Sequence, residues 1–424
     1  MVVRLADCER SRGTAATGAR DWGWTRPGSA MDEEGLDGIE VPLPFLGSSS
    51  DEEEASDNET VQAEEEDEVS GQIGLRVEEV LQAIIEGRDH DASRPLLTLS
   101  YWRELASAEG LHVLELAPDG SVREPVDSSE ELRTSLQQRG YLEGATVFPG
   151  DEAAMLSRLT RGMRLLKHHG LAPTFIYVFD EAWLVLERCW RTLAEVLHAD
   201  ESDVVLEPSF FAHALSRPEE PSASARLSVE VARHTTLGGN FGLPHRDHSS
   251  SDCFDSEGRP VMLSVWCPLT PVSADNGCMH VLPQEFDTLL HRPEHPHHLT
   301  PWDQSSGKCR FPLGGTVALA PCEAGSVLAW YGSLVHRGGT CSRFSKTEPR
   351  ASLTCTVRVR SARPTALQGL QAGELPQLTL DQLPLPLEAR VRYACANVLL
   401  FKWWYGLSAG VLPTHLLGKS SPMP

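Results

Sequence analysis

Two potential metal ligands lie one residue apart in the segment PHRDH at 244–248. In an extended backbone the side chains at positions i and i+2 project from the same face, so His245 and Asp247 could hold one ion together. A third candidate, His336, follows an apolar run at 327–331 and a short turn. Two histidines and one carboxylate form the facial triad typical of iron(II) sites, which leaves three coordination positions open for a cosubstrate and oxygen.

A His-x-Asp pattern alone is most often an ordinary polar turn, so its sequence context decides the interpretation. Arg350 opens the run RASLTCTVRVR, in which apolar and polar residues alternate as in a β-strand. A planar, permanently charged guanidinium on a strand after the distal histidine is suited to bidentate capture of a carboxylate. In the run SVWCPLTPV, Trp266 follows the strand period and could face either a cavity or the core.

These pieces resemble the phytanoyl-CoA dioxygenase family of iron(II)- and 2-oxoglutarate-dependent oxygenases. The resemblance covers residues 128–362, and its segments follow the family's order. They are PHRDH at 244–248, SVWCPLTPVSADNGCMHVLPQEFD at 264–287, AGSVLAWYGSLVHRGG at 324–339 and PRASL at 349–353.

The resemblance implies a role for each matching residue. The iron ligands and catalytic residues would be His245, Asp247 and His336. Arg350 would anchor the distal carboxylate of 2-oxoglutarate, with Ser352 as a helper at the same carboxylate. Trp266 joins the cofactor-binding set because the strand period allows it to face the cavity. The implied cofactors are Fe(II), 2-oxoglutarate as cosubstrate and O2, and the implied reaction is hydroxylation with release of succinate and CO2.

Three loop segments around these residues carry further expectations. Asp275-Asn276-Gly277 is a turn by its chemistry, and we expect it to shape the mouth of the site. QEFD at 284–287 departs from the resemblance, because many family members have a Gly-Ser-His ending there. The segment 291–312 contains four histidines and several prolines, and we interpret it as a solvent-exposed lid that influences substrate choice.

From residue 203 onward the sequence consists of short strand-like runs separated by Gly, Pro and Asn turns. This pattern indicates an all-β sandwich or barrel. Together with the resemblance it predicts a mainly β fold with flanking helices around a double-stranded β-helix, a cupin-like jelly roll. The predicted division is 1–75 (disordered acidic region), 76–126 (accessory α/β layer), 127–362 (dioxygenase domain) and 363–424 (linker and helix).

The helical segments show clear end signals and buried stripes. We expect a helix from Ser128 or Ser129 to Arg139, ended by Gly140. A later amphipathic helix presents an apolar stripe, which we assign to the core: Trp183, Leu186, Cys189, Trp190 and Leu193.

Charge is distributed unevenly along the 424 residues. The net charge is −23, of which −16 falls in residues 31–75, a segment without Lys or Arg. The remaining chain is mildly acidic, which argues against nucleic acid as a partner. The acidic segment 31–75 could recruit a protein partner. The sequence contains no run of eighteen apolar residues, so no membrane span is expected.

Ten cysteines are scattered without a C-x-x-C pair, which favours reduced thiols and an intracellular, cytoplasmic location. Residues 1–30 hold five arginines and three acidic residues. Two interpretations of this segment stay open: an organelle transit peptide, or an untranslated or disordered leader ahead of Met31.

Three functional hypotheses follow from these observations. The first is an oxygenase that hydroxylates a small molecule or acyl thioester, and the second is an oxygenase of the same chemistry acting on a protein side chain. The third is a catalytically silent jelly-roll binding protein. The substrate lies beyond the sequence, because the loops that select it are outside the motifs.

Overall fold

The structure is a computed structural model that describes five parts of the chain. They are 76–116 apart from 89, 128–217 apart from 147 and 149–151, 244–361 apart from 300–301, 304–307 and 310–314, then 375–402, and 412. The predicted disordered segment 1–75, the turn at 118–120, a strand-like run at 225–236 and the linker at 363–374 lie outside the described residues. The division into domains stays a prediction.

The described residues include seven α-helices. They span 76–86 (α1), Leu99–Glu109 (α2), Ser129–Arg139 (α3), Ala153–His168 (α4), Asp180–Val196 (α5), Ser250–Cys253 (α6) and Leu387–Leu400 (α7). Short 3-10 helices occur at Asp91–Ser93, Pro95–Leu97, Pro173–Val178, Glu201–Asp203, Gln284–Phe286 and Leu380–Gln382.

The ends of α3 agree with the sequence signals. Ser128 is the N-cap, and its hydroxyl accepts a hydrogen bond from the backbone N–H of Glu131 at 3.2 Å. Gly140 ends the helix with φ of 82°, a left-handed conformation that glycine adopts without a steric penalty. The chain therefore turns directly from α3 into the first strand.

The described strands form antiparallel pairs throughout. They are Tyr141–Thr146 (β1), Val204–Leu206 (β2), Phe211–Ala214 (β3), Met262–Pro268 (β4), Met279–Val281 (β5), Trp302–Asp303 (β6), Lys308–Cys309 (β7), Val317–Leu319 (β8), Ser326–Tyr331 (β9), His336–Gly338 (β10) and Ala351–Val359 (β11).

A major sheet has the order β1-β9-β4-β11-β2, with β3 also paired to β11. A minor sheet has the order β10-β5-β8, and β6 pairs with β7 in a separate hairpin. Strands adjacent in these sheets are distant in sequence, as in a jelly roll. The predicted fold class, a double-stranded β-helix with flanking helices, is confirmed.

The two faces of the major sheet differ in chemistry. On one face, Cys267 of β4 contacts Cys189 of α5, and the predicted apolar stripe of α5 is buried there. Residues opposite each other in an antiparallel pair share a face, and side chains alternate between faces. Ser264 and Trp266 of β4 therefore lie on the face away from α5, where the candidate site is found.

The N-terminal helices and the C-terminal helix share one hydrophobic core with the major sheet. The indole of Trp102 in α2 stacks on the ring of Phe175 with centroids 5.7 Å apart. In α7, Val391, Ala394 and Val398 are buried. Among the described helices, none combines the length and apolar character needed to cross a bilayer.

Candidate metal centre

Two of the predicted ligands face each other across a backbone bridge. The N–H of His245 donates to the carbonyl of His336 at 2.9 Å, and the N–H of His336 donates to the carbonyl of His245 at 3.0 Å. His336 begins β10 and is paired on its other side with Val281 of β5. Residues 91 positions apart in sequence are thus held with their ring centroids 4.4 Å apart.

Asp247 joins the histidines as the alternating pattern of 244–248 predicted. Its backbone N–H donates to the carbonyl of Gly332 at 3.1 Å, which fixes the segment against the turn before β10. Its Oδ1 lies 3.5 Å from Nε2 of His245 and 3.6 Å from Nε2 of His336. The hydroxyl of Ser264 donates to the other carboxylate oxygen, Oδ2, at 2.6 Å.

These three donor atoms fit a common metal ion. They all lie within 4.8 Å of one another, and ligand atoms bound about 2.1 Å from one ion are separated by at most about 4.2 Å. Small side-chain rotations bring the set into that range. Nδ1 of His336 lies 3.0 Å from the carbonyl of Leu334, which can only accept, so Nδ1 carries the hydrogen and Nε2 presents its lone pair.

The local electrostatics favour the protonation states in which His336 and Asp247 can bind a metal. Burial lowers the pKa of His336 to about 4, so its ring is neutral near pH 7. Partial removal from solvent acts to raise the pKa of Asp247, but the imidazoles of His336 and His245 outweigh it and hold that pKa well below the usual range. The site therefore offers a neutral imidazole at His336 and a carboxylate at Asp247, the forms that metal binding requires.

Arg350 lies directly before β11, on the same side of the major sheet as Trp266. Its guanidinium carbon is 5.3 Å from the centroid of the Trp266 ring, and Nη1 is 3.5 Å from Sδ of Met279. The residue is 3% exposed, and burial lowers its pKa to about 10, so the guanidinium stays protonated at neutral pH. Thus Trp266 lies on the face of the sheet that bears the candidate site and packs on Arg350.

Ser352 follows Arg350 at the i+2 position and shares its face. Its hydroxyl is buried and makes no hydrogen bond to any part of the chain that the structure describes. Such an orphaned polar atom is costly unless a ligand satisfies it. A carboxylate placed against Arg350 would provide an acceptor for this hydroxyl.

The Asp275-Asn276-Gly277 turn supports Arg350, as expected for a structural element. The carbonyl of Asn276 accepts from the N–H of Arg350 at 3.2 Å, and its side-chain Nδ2 donates to the carbonyls of Pro271 and Glu348 at 2.9 Å each. At Gly277, with φ of 107°, a Cβ would come 2.2 Å from Leu215 and 3.5 Å from Nε of Arg350. A side chain there would clash with Leu215, beside the anchor.

Two contributions to the site were missed by sequence reasoning. Ser264 lies two residues before Trp266, so the strand period that placed Trp266 could also have found it. The ion pair between Arg246 and Asp287 was missed as well, although Asp287 belongs to the QEFD segment that departs from the family pattern.

The lid interpretation of 291–312 needs correction at one residue. His291 is exposed and His295 and His297 are partly exposed, but His298 is only 1% exposed. Its Nε2 lies 3.1 Å from the N–H of Ser250, and its Nδ1 lies 2.9 Å from the carbonyl of Leu289. These contacts tie the start of the segment to the body. Within the described ranges, the triad is the sole cluster suited to a metal.

The fold and site define a jelly-roll protein with a candidate two-histidine, one-carboxylate metal centre. The family model described as phytanoyl-CoA dioxygenase (PhyH) matches residues 142–346. This segment spans β1 to the loop before Arg350 and contains all three candidate ligands. The resemblance noted from the sequence is confirmed over the residues that this family model matches.

The solved structures that this chain matches include three of low sequence identity. The carbocyclase SnoK from nogalamycin biosynthesis is 18% identical over 59% of this chain and 90% of its own, with a TM-score of 0.40. EvdO2 from Micromonospora carbonacea var. aurantiaca, complexed with 2-oxoglutarate, is 17% identical over 59% and 98%, with a TM-score of 0.35. The epimerase SnoN, in complex with Fe3+ and alpha ketoglutarate, is 18% identical over 56% and 87%, with a TM-score of 0.35. A sequence comparison with curated proteins finds no match.

Proposed function

We propose that this protein is an Fe(II)- and 2-oxoglutarate-dependent dioxygenase that hydroxylates a small molecule or acyl thioester. One observation carries the proposal: Oδ1 of Asp247 lies within 3.6 Å of Nε2 of both histidines, on the face of the sheet that also bears Arg350. The PhyH match supports the same class of chemistry.

The metal ligands and the carboxylate-binding residues have separate roles in this proposal. His245, Asp247 and His336 hold iron(II), and the buried guanidinium of Arg350 pairs with the distal carboxylate of 2-oxoglutarate, with Ser352 donating a second hydrogen bond. Bound iron and 2-oxoglutarate supply the oxidative decarboxylation by which O2 is used to hydroxylate a C–H bond. The chain positions these reactants and excludes water, which is the protein's own share of catalysis.

Trp266 has a supporting role in this arrangement. Its ring flanks the guanidinium of Arg350 and removes water from one side of it. A charge pair in such a low-dielectric setting is stronger than in water. The indole therefore holds Arg350 toward the cosubstrate position and strengthens its pairing with a carboxylate.

The proposal is tested by anaerobic titration of the protein with iron(II) and 2-oxoglutarate, followed through the weak visible charge-transfer band of the ternary complex. The wild type is expected to develop the band, and the Asp247→Ala and Arg350→Ala variants are expected to lose or weaken it. A folded wild type that develops no band would contradict the proposal and favour the silent jelly-roll hypothesis.

A second measurement addresses the substrate class. Succinate formation is measured with metabolite fractions, with protein fractions and with neither. Stimulation by metabolites supports the proposed small-molecule hydroxylase. Stimulation by proteins alone would instead support a protein side-chain hydroxylase, for which the sixteen acidic residues in the sequence at 31–75 supply negative charge to recruit partners.

A further inference from the structure

Arg246 lies between two candidate ligands and points away from the metal. The burial pattern along 244–248 alternates, so the side chains of His245 and Asp247 share one face and that of Arg246 lies on the other. The Arg246 side chain is fully buried, as is that of its partner Asp287. A cation is thus enclosed in the protein interior directly behind the ligand pair.

The guanidinium of Arg246 connects three segments of the chain. Nη1 and Nη2 donate to the two carboxylate oxygens of Asp287 at 2.6 and 2.8 Å, a bidentate pair. Nε donates to the carbonyl of His298 at 2.8 Å, and Nη1 also donates to the carbonyl of Ser333. The ligand segment, the segment leading to the lid and the turn before β10 all meet at this group.

The contact with Ser333 extends to the third ligand. Ser333 lies between Gly332, whose carbonyl accepts from Asp247, and Leu334, whose carbonyl accepts from Nδ1 of His336. Fixing the Ser333 carbonyl therefore fixes two neighbouring peptides that orient Asp247 and His336. His245 is fixed through its covalent bond to Arg246, so one side chain constrains all three ligands.

We propose that Arg246, held by Asp287, is a positioning residue that sets the geometry and affinity of the metal centre. The inference rests on the proposed function, because it presumes that the triad binds a metal. Stability alone does not explain the pair, since replacing a buried ion pair by apolar residues is often neutral or stabilising. One of its donors instead holds the Ser333 carbonyl, which lies between the two carbonyls that contact Asp247 and His336, and contacts outside the ligand set commonly tune metal sites.

The chain offers a closely matched control in Arg390 of α7. Its side chain and that of Asp180 are each 1% exposed, and Nη1 of Arg390 donates to Oδ1 of Asp180 at 2.5 Å. Arg390 also donates to two backbone carbonyls, those of Leu385 at 2.8 Å and Val178 at 3.0 Å. Both arginines are buried and bond to one aspartate and two backbone carbonyls, although Arg390 reaches its aspartate through one nitrogen and Arg246 through two. Only Arg246 is flanked by candidate ligands.

The experiment compares Arg246→Met with Arg390→Met, using Co(II) as the probe. Dissociation constants come from titration followed by the visible absorption bands of bound Co(II), whose positions also report the coordination geometry. Thermal unfolding of the metal-free proteins is measured in parallel. We expect Arg246→Met to weaken Co(II) binding about 10- to 100-fold and shift the bands. Arg390→Met is expected to change the affinity by less than about twofold, although both substitutions lower the unfolding temperature.

Asp287→Asn is the second variant, because it keeps the shape of the partner and preserves folding if Arg246→Met does not fold. It is expected to weaken Co(II) binding by several-fold, in the same direction. Wild-type affinity and unchanged bands in both Arg246→Met and Asp287→Asn would overturn the positioning role alone, as would an equal loss in Arg390→Met. A folded wild type that binds no Co(II) would overturn the proposed metal site, and the positioning role with it.

Discussion

The two ends of the candidate site are built from different kinds of contact. At the metal end, polar partners orient the ligands: the carbonyl of Leu334 holds His336, and the hydroxyl of Ser264 holds Asp247. At the anchor end, the guanidinium of Arg350 lies against an indole ring and a thioether, those of Trp266 and Met279. One end is thus defined by directional hydrogen bonds, and the other by an apolar enclosure around a charge.

This difference implies that the two ends respond to mutation in different ways. Hydrogen bonds with fixed directions set geometry, so changes at the metal end are expected to act on metal affinity. A low-dielectric enclosure strengthens the interaction of Arg350 with an opposite charge, so changes at the anchor end are expected to act on the carboxylate cosubstrate. The predictions below test whether the two ends are separable in this way.

The largest effect is expected for Asp247→Ala, which removes the only carboxylate of the triad. Loss of an outer hydrogen bond to a ligand costs about 10- to 100-fold in metal affinity, and loss of the ligand itself is expected to exceed about 100-fold. The measurement is the Co(II) dissociation constant, with Asp247→Asn as the isosteric control that removes the charge alone. Affinity within tenfold of wild type in Asp247→Ala would contradict the triad assignment.

The proximity of His245 and Asp247 could be predicted because the two residues lie in a short, local pattern, whereas the roles of His336 and Arg350 stay predictions that rest on the resemblance. His245 and Asp247 are two residues apart on an extended segment, and Arg350 opens a strand with clear alternation. The strand runs likewise gave the fold class, because alternation and turn residues are local signals. Features that depend on neighbouring residues, such as side-chain spacing and strand alternation, could therefore be predicted from the sequence.

Contacts between distant segments could not be predicted in the same way. Nothing near Arg246 in sequence indicates that Asp287, 41 residues later, accepts both of its terminal nitrogens. Its burial depends on how the segment leading to the lid packs, and His298 was assigned to solvent for the same reason. The pairing of His245 with His336 by two backbone hydrogen bonds is also a product of the sheet topology.

The next largest effect is expected for Arg350→Ala, on 2-oxoglutarate affinity. Removing one partner of a desolvated charge pair costs roughly 2–5 kcal/mol, so we expect about 100-fold weaker binding in the metal-loaded protein, measured by titration calorimetry. Arg350→Lys keeps the charge but loses the planar guanidinium, so its 2-oxoglutarate affinity should lie between those of the wild type and Arg350→Ala. Metal affinity without 2-oxoglutarate should stay unchanged, and a loss equal to that of Asp247→Ala would show that the ends are not separable.

A smaller effect is expected for Ser264→Ala, at the metal end. The hydroxyl that donates to Oδ2 of Asp247 is lost, and the carboxylate gains freedom to rotate away from the histidines. Metal affinity is expected to fall about tenfold, while the 2-oxoglutarate affinity of the metal-saturated protein should change little. A Co(II) titration of Ser264→Ala and of Ser264→Thr, which retains the hydroxyl, checks this; equal losses in both would point to strand packing as the cause.

The smallest effect is expected for Ser352→Ala, at the anchor end. The substitution should leave stability unchanged or raise it, but should lower the affinity for 2-oxoglutarate. Without a ligand the buried hydroxyl has no hydrogen-bond partner among the described residues, so its removal should leave the metal-free protein as stable as wild type or raise its free energy of unfolding by about 1 kcal/mol. With 2-oxoglutarate bound, the lost hydrogen bond should weaken cosubstrate binding by several-fold, since one such bond contributes about 1 kcal/mol. Thermal unfolding of the metal-free protein and calorimetric titration of the metal-loaded protein measure the two effects. A destabilised variant with normal 2-oxoglutarate affinity would place Ser352 in the core of the sheet and confine the anchor end to Arg350 and its apolar enclosure.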